Sequence, residues 1–146
     1  MENIFVIDGT ANSWEDAIRL CSDELIRKGA VKTTFREACL KREESFPTGL
    51  PTNPGVAIPH AGNEHVLKNA ICLLRLDNPV LFQRLDAPDE TVEVNLVFNL
   101  ATSESDGHIE VLKKLMKFIH DGAELRRYMD ATLEQLHDRI LEHLNE

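Results

Sequence analysis

Two apolar runs limit the architecture of this chain more than anything else in it. Residues 70–76 read Ala-Ile-Cys-Leu-Leu-Arg-Leu, and residues 92–100 read Val-Glu-Val-Asn-Leu-Val-Phe-Asn-Leu. A strand with one wet face alternates apolar and polar side chains, whereas a nearly continuous run means that both faces are covered. The first segment is nearly all apolar and the second begins with alternation and becomes continuous, so both predict sheet strands with helices packed above and below. A shorter β-prone segment, Ile4 to Ile7, ends at Asp8-Gly9.

Helical periodicity fills the flanks. Ser13 is a candidate N-cap, and Asp16 three residues later makes a near capping box. Trp14, Ala17, Ile18, Cys21, Leu25 and Ile26 then recur at helical spacing until Gly29 closes the helix. A second helix starts after Thr33-Thr34, carries Phe35, Ala38, Cys39 and Arg42, and ends before Pro47. After residues 103–107, Ile109, Leu112, Leu115, Met116 and Ile119 form one face, and Gly122 breaks the pattern. Two more helical stretches, 123–130 and 132–144, finish the chain, with Thr132 as N-cap of the last. This order predicts an α/β fold, a layered α-β-α sandwich with a central mixed sheet flanked by helices. Its 146 residues suit a single domain, 1–146, with no repeat or linker.

Composition excludes several function classes. A formal net charge of −9 argues against nucleic acid, which is bound mainly through clustered Lys and Arg. The same charge suits a basic protein partner, or simple solubility. Cys21, Cys39 and Cys72 are odd in number and show no CxxC spacing, which reads as reduced thiols in a cytoplasmic protein. The segment Met1 to Ile7 lacks the basic region and long apolar core of a signal peptide. No apolar run reaches the roughly 20 residues that span a bilayer, so no direct membrane insertion is expected.

Chemistry points to one histidine among six. Residues 47–55 hold three prolines and two glycines, too many breakers for a regular element, and so form an ordered loop. It leads into Val56-Ala-Ile-Pro-His60, where Pro59 forces Ile58 toward extended backbone. His60 is followed by Ala61-Gly62, small residues that leave room for a bulky group to approach the ring. The rigid loop offers backbone N–H groups to an anion, and neutral imidazole is a good nucleophile near pH 7. By itself, a histidine after a strand is more often structural. His120, His137 and His143 read as structural or solvent-facing, and His65 follows a turn. His60 and His65 make poor metal geometry, and no cysteine is near them in sequence, so neither metal nor cofactor is expected.

Three segments carry a family resemblance. Gly55-Val-Ala-Ile-Pro-His60 resembles the G-[IV]-A-[IV]-P-H signature of the fructose–mannitol type of IIA proteins (EIIA type 2) in the bacterial phosphoenolpyruvate-dependent sugar phosphotransferase system. His108-Ile-Glu-Val-Leu-Lys-Lys-Leu115 resembles the family's second motif, a histidine opening a helix, and Arg42-Glu-Glu-Ser-Phe-Pro-Thr-Gly49 resembles the segment before its active-site loop. The REE-FPTG form is most similar to the galactitol-type subgroup, although the loop between Thr48 and His60 is about two residues longer than in mannitol-type members.

The resemblance implies a phosphoryl carrier. His60 would accept the group on Nε2 from phospho-HPr, with Nδ1–H held by a backbone carbonyl, and pass it to a cysteine of a IIB component. His108 would donate a hydrogen bond to a phosphoryl oxygen, beside the positive end of its helix. Arg42 and backbone amides around Thr48 would complete the cradle; the other reading of Arg42 is a solvated helix-end cation with a surface ion pair. Leu67 and Leu73 read as core, or as part of a docking surface. The rival functions are a regulatory IIA-like phosphoprotein, a non-catalytic binding module and a metal hydrolase, the last lacking ligand spacing. Sugar choice would lie in a membrane component.

Overall fold

The two apolar runs form the centre of a four-stranded sheet with helices on both faces. The structure is a computed structural model that describes residues 3–102 and 105–145, the side chains of 105–108 excepted. In chain order the elements are β1 (Ile4–Gly9), α1 (Trp14–Arg27), α2 (Phe35–Ser45), β2 (Gly55–Ala57), a single 3-10 turn (Asn63–His65), β3 (Ala70–Gln83), β4 (Thr91–Ala101), α3 (Ser105–Phe118), α4 (Gly122–Asp130) and α5 (Leu133–Leu144). Strand order is β1-β3-β4-β2. The outer pairs β1/β3 and β2/β4 are parallel and the central pair β3/β4 is antiparallel, so the sheet is mixed.

Alternate residues of the continuous runs serve opposite layers. Cys72 and Leu74 of β3 and Val97 of β4 pack against Ile18, Cys21 and Leu25 of α1 and Phe35 of α2. Ile71 and Leu73 of β3, and Leu96, Phe98 and Leu100 of β4, pack against Leu115 of α3, Tyr128 of α4 and Ile140 of α5. Leu73 is therefore core. Each such side chain, fully buried, contributes about 1.5–3 kcal/mol. The polar interruption in β3 has its own partners. Arg75 forms a two-pronged pair with Asp8 on β1, at 2.6 and 2.9 Å, and donates to the Tyr128 and Ala131 carbonyls at the end of α4.

Caps follow the sequence with one adjustment. The Ser13 hydroxyl accepts from the Asp16 amide, but Asp16 reaches back to the Asn12 amide rather than to that of Ser13. Thr132 and Gln135 make a complete capping box on α5. Gly29 ends α1 at φ 71°, the left-handed value glycine tolerates, with Gly29 and Ala30 amides bonded to the Ile26 and Leu25 carbonyls.

Two boundaries differ from the sequence reading. β3 runs seven residues beyond Leu76, to Gln83, because Asp77-Asn78-Pro79 is absorbed as an irregularity between Arg75 and Val80. β1 pairs with β3 only as far as Leu76, so Pro79 faces no partner that needs its missing N–H. α3 starts at Ser105, inside the segment read as preceding it; residues 103 and 104 lie outside the described residues.

The short β2 sets the position of the site. Its register on β4 shifts between Gly55 and Val56, and a Cβ on Gly55 would stand 2.0 Å from the Glu93 carbonyl oxygen, so only glycine permits this approach. Past the shift, β2 runs parallel to β4, and a further bridge pairs His60 with Leu100.

Candidate functional site

His60 stands where the C-terminal ends of two parallel strands meet, the edge at which open α/β sheets generally bind ligands. Leu100 donates its amide to the Pro59 carbonyl at 3.0 Å, and the Asn99 side-chain amide donates to the same oxygen at 3.0 Å. Asn99 is fully buried and its own oxygen accepts from the buried Ser22 hydroxyl at 2.7 Å. Pro59 is thereby pinned from β4 and α1 together.

The imidazole of His60 is partly buried, with Nδ1 3.0 Å from the Ile58 carbonyl oxygen. A carbonyl oxygen only accepts, so Nδ1 carries the hydrogen, and in the neutral ring Nε2 holds the nucleophilic lone pair.

Ile58 is held in turn by Thr48, whose hydroxyl accepts from the Ile58 amide at 3.0 Å. Thr48 is 4% exposed. Its amide donates to Glu43 at 2.7 Å and its hydroxyl to the two Glu43 oxygens at 2.9 and 3.1 Å. The expectation that amides around Thr48 cradle an anion thus meets a different arrangement, because the amide and hydroxyl of Thr48 are engaged inside the protein. Glu43 itself is 4% exposed. Burial pushes its carboxyl up from 4.5 to about 7, against the pull of the Thr48 amide and hydroxyl and of Arg42. Sequence reading gave Glu43 no role, and neither Asn99 nor Ser22. One signal was available for Glu43, an acidic residue in the last turn of a helix, where the helix dipole disfavours it.

Arg42 is exposed on the last turn of α2, its guanidinium carbon 5.3 Å from the centre of the Phe46 ring. With Lys41, Phe46, Ala61, Gly62 and His65 it lines a shallow cavity of about 320 Å³, directly beside the two residues that follow His60. Lys41 and Arg42 give this rim a positive charge within an acidic chain. The Nδ1 of His65 lies 2.8 Å from the Thr34 hydroxyl.

His108 falls in the first turn of α3, four residues into the helix; its side chain lies outside the described residues. α3 begins five residues after Leu100, the bridge partner of His60, so the chain leads from the site's edge into that helix's N-terminus. The remaining histidines sit elsewhere. His143 stacks on Phe118 at 4.6 Å and contacts Glu124, and His137 pairs with Asp138. Leu67 is 58% exposed and Phe46 64%. Among the described residues, no helix is long and apolar enough to cross a membrane, and no three His, Cys, Asp or Glu side chains are grouped to hold a metal ion.

Comparison with known proteins identifies the family. Residues 1–144 match the family described as phosphoenolpyruvate-dependent sugar phosphotransferase system, EIIA 2. The chain belongs to this family. Among EIIA 2 relatives, it is similar to the galactitol-specific EIIA component of Escherichia coli (strain K12), with 34% identity over 117 residues, 79% of this chain and 77% of that protein. The EIIA 2 fold superposes on the crystal structure of IIA mannitol from Escherichia coli with a TM-score of 0.73 at 27% identity, covering 98% of this chain and 96% of that one. It also matches the complex of enzyme IIA-Mtl and phosphorylated enzyme IIB-Mtl from the same organism, with a TM-score of 0.69 and 27% identity over 99% of this chain and 94% of the other. The layered mixed sheet read from the sequence is therefore the EIIA fold, and the chain is a galactitol-like IIA component of a sugar phosphotransferase system.

Proposed function

We propose that this EIIA 2 protein relays a phosphoryl group through Nε2 of His60, from phospho-HPr to a cysteine of a cognate IIB component, for uptake of a sugar such as galactitol. The observation that carries the reading is the hydrogen bond from Nδ1 of His60 to the Ile58 carbonyl, which directs the lone pair of the neutral ring to Nε2. In the first transfer that lone pair forms the new N–P bond, while the N–P bond to the donor histidine breaks and its electron pair returns to the donor ring. In the second, a IIB thiolate forms an S–P bond and the pair returns to Nε2. Nδ1–H stays in place throughout, so no proton need move on this chain.

Such transfers pass through a loose, metaphosphate-like state, in which catalysis is mainly positioning and charge stabilisation. The cationic rim of Lys41 and Arg42 suits the anionic group. His108, in the first turn of α3, supplies a hydrogen-bond donor to a phosphoryl oxygen in this reading, with the helix N-terminus adding positive potential. Thr48 contributes through the Ile58 backbone rather than by touching phosphate. The known complex of a IIA with a phosphorylated IIB supports the second step. The site is reached from water and needs no location other than one shared with HPr, which agrees with a cytoplasmic protein.

Incubation with enzyme I, HPr and phosphoenolpyruvate tests the proposal. Mass spectrometry should find an acid-labile phosphoryl adduct on His60, which a purified IIB then removes. An adduct that forms but is never passed to any IIB would favour the regulatory function. No adduct at all would leave a binding module.

A further inference from the structure

Glu43 is the least expected side chain near the site. A carboxylate in the last turn of a helix opposes the dipole, and one that is 4% exposed also loses its hydration. Among the described residues, Glu43 has no ion pair within 4 Å. A neutral side chain here would escape that charge penalty. What the carboxylate offers is acceptance at both oxygens with no donor of its own.

That property decides how Thr48 is oriented. Its amide and its hydroxyl hydrogen both turn to Glu43, at 2.7 Å and at 2.9 and 3.1 Å. The hydroxyl oxygen then presents its lone pairs to the buried Ile58 amide at 3.0 Å, an N–H that would otherwise lack a partner in an irregular stretch of chain. Ile58, fixed by its amide, offers its carbonyl to Nδ1 of His60 at 3.0 Å. The link from Glu43 uses both the amide and the hydroxyl of Thr48, and the next two are single hydrogen bonds that hold Ile58 and His60 outside any regular element. A glutamine would break the logic at its first step, because its NH₂ group would point a second donor at the Thr48 hydroxyl.

We infer that Glu43 is a positioning residue for His60: its carboxylate orients Thr48, the Thr48 hydroxyl anchors Ile58, and the Ile58 carbonyl selects the Nδ1–H form of the imidazole. The inference rests on His60 being the phosphoryl acceptor. It extends that reading to a residue buried beneath the site, which touches neither phosphate nor partner. Burial raises the Glu43 carboxyl to about 7, so the carboxylate that accepts both Thr48 donors is the form present above that pH.

Two readouts test it on the full chain. The first is the single-turnover rate of phosphoryl acceptance from phospho-HPr; the second is the pair of ring ¹⁵N shifts of His60, which report the tautomer and which a loss of stability alone would not move. Thr48→Val should slow acceptance by about 10- to 100-fold, the usual result of loosening reacting groups by a fraction of an ångström to an ångström. Its ring nitrogens should move toward a tautomer mixture. Thr48→Ser, which keeps the hydroxyl, should stay within about 3-fold of wild type by the same reasoning. Glu43→Gln should be slower by roughly 10-fold, with a native circular dichroism spectrum. Folded Thr48→Val and Glu43→Gln proteins with wild-type rates and shifts would overturn the inference. If Thr48→Val does not fold, Glu43→Gln decides alone. A tautomer mixture in the wild-type protein would overturn it without any variant. Absence of an adduct on His60 in the wild type would instead defeat the acceptor reading, so the two failures are distinct.

Discussion

Replacing Glu43 with glutamine should make the protein more stable in mild alkali than wild type while making it a worse phosphoryl acceptor. Burial raises the Glu43 carboxyl from 4.5 to about 7 in the folded protein. Below pH 4.5 the group is protonated whether the chain is folded or not, and its burial carries no electrostatic penalty. Between pH 4.5 and 7 the unfolded chain loses the proton while the folded one keeps it, so stability falls as pH rises; above 7 the full penalty is present. At ~1.4 kcal/mol per decade, the gap from 4.5 to about 7 amounts to ~3 kcal/mol, of which ~2 develops between pH 5 and pH 8.

Glutamine carries none of this, though losing one acceptor for Thr48 subtracts about 1 kcal/mol at every pH. The other groups beside Glu43 do not blur the comparison. Burial pushes the Cys39 thiol up to about 12, above this window. Urea denaturation of both proteins at pH 5 and pH 8 reads the difference directly, provided that unfolding is two-state. The variant should gain roughly 2 kcal/mol on wild type between the two conditions. Stability curves that run parallel from pH 5 to pH 8 would refute the buried-charge reasoning.

Three further outcomes are expected. His108→Ala should slow phosphoryl transfer without abolishing the adduct on His60, measured by quenched-flow labelling; an unchanged rate would reduce His108 to a helix-packing residue. Arg75→Ala strips Asp8 of its partner and leaves the Tyr128 and Ala131 carbonyls without their donor. The loss should be about 2–4 kcal/mol, or a Tm lower by roughly 5–10 °C, with His60 still phosphorylated. Glu124 is governed by burial, which alone would raise its carboxyl, and by hydrogen bonds from Arg139 and His143, which win and hold it at about 2. Its stabilisation is present above pH 4.5 and lost as pH falls toward 2, so Glu124→Gln should lower stability by about 2 kcal/mol at pH 7 and hardly at all at pH 2.

The fold was legible in the sequence where burial leaves a periodic trace. The run at 70–76 and the continuous second half of 92–100 meant two covered faces, and Cys72, Leu74, Ile71 and Leu73 divide between the layers accordingly. Ser13, Gly29 and Thr132 marked helix ends because caps depend on one residue's local chemistry. The extension of β3 past Asp77-Asn78-Pro79 was not legible, since whether such residues break a strand depends on which neighbour needs their amides. At the site, the Val-Ala-Ile-Pro-His string stood out because proline and small residues restrict backbone and space. The support beneath it did not. Glu43 looks like any acid in a charged helix, and Asn99 like a polar slip in an apolar strand; their meaning comes from Thr48 and Pro59, brought to them only by folding.

The central claim is most directly tested by finding which atom carries the phosphorus. Uniformly ¹⁵N-labelled protein, phosphorylated through enzyme I and HPr, should show phosphorus–nitrogen coupling at Nε2 of His60, with a proton retained at Nδ1. Phosphorus on Nδ1 of that ring, or on any other residue, would contradict the account.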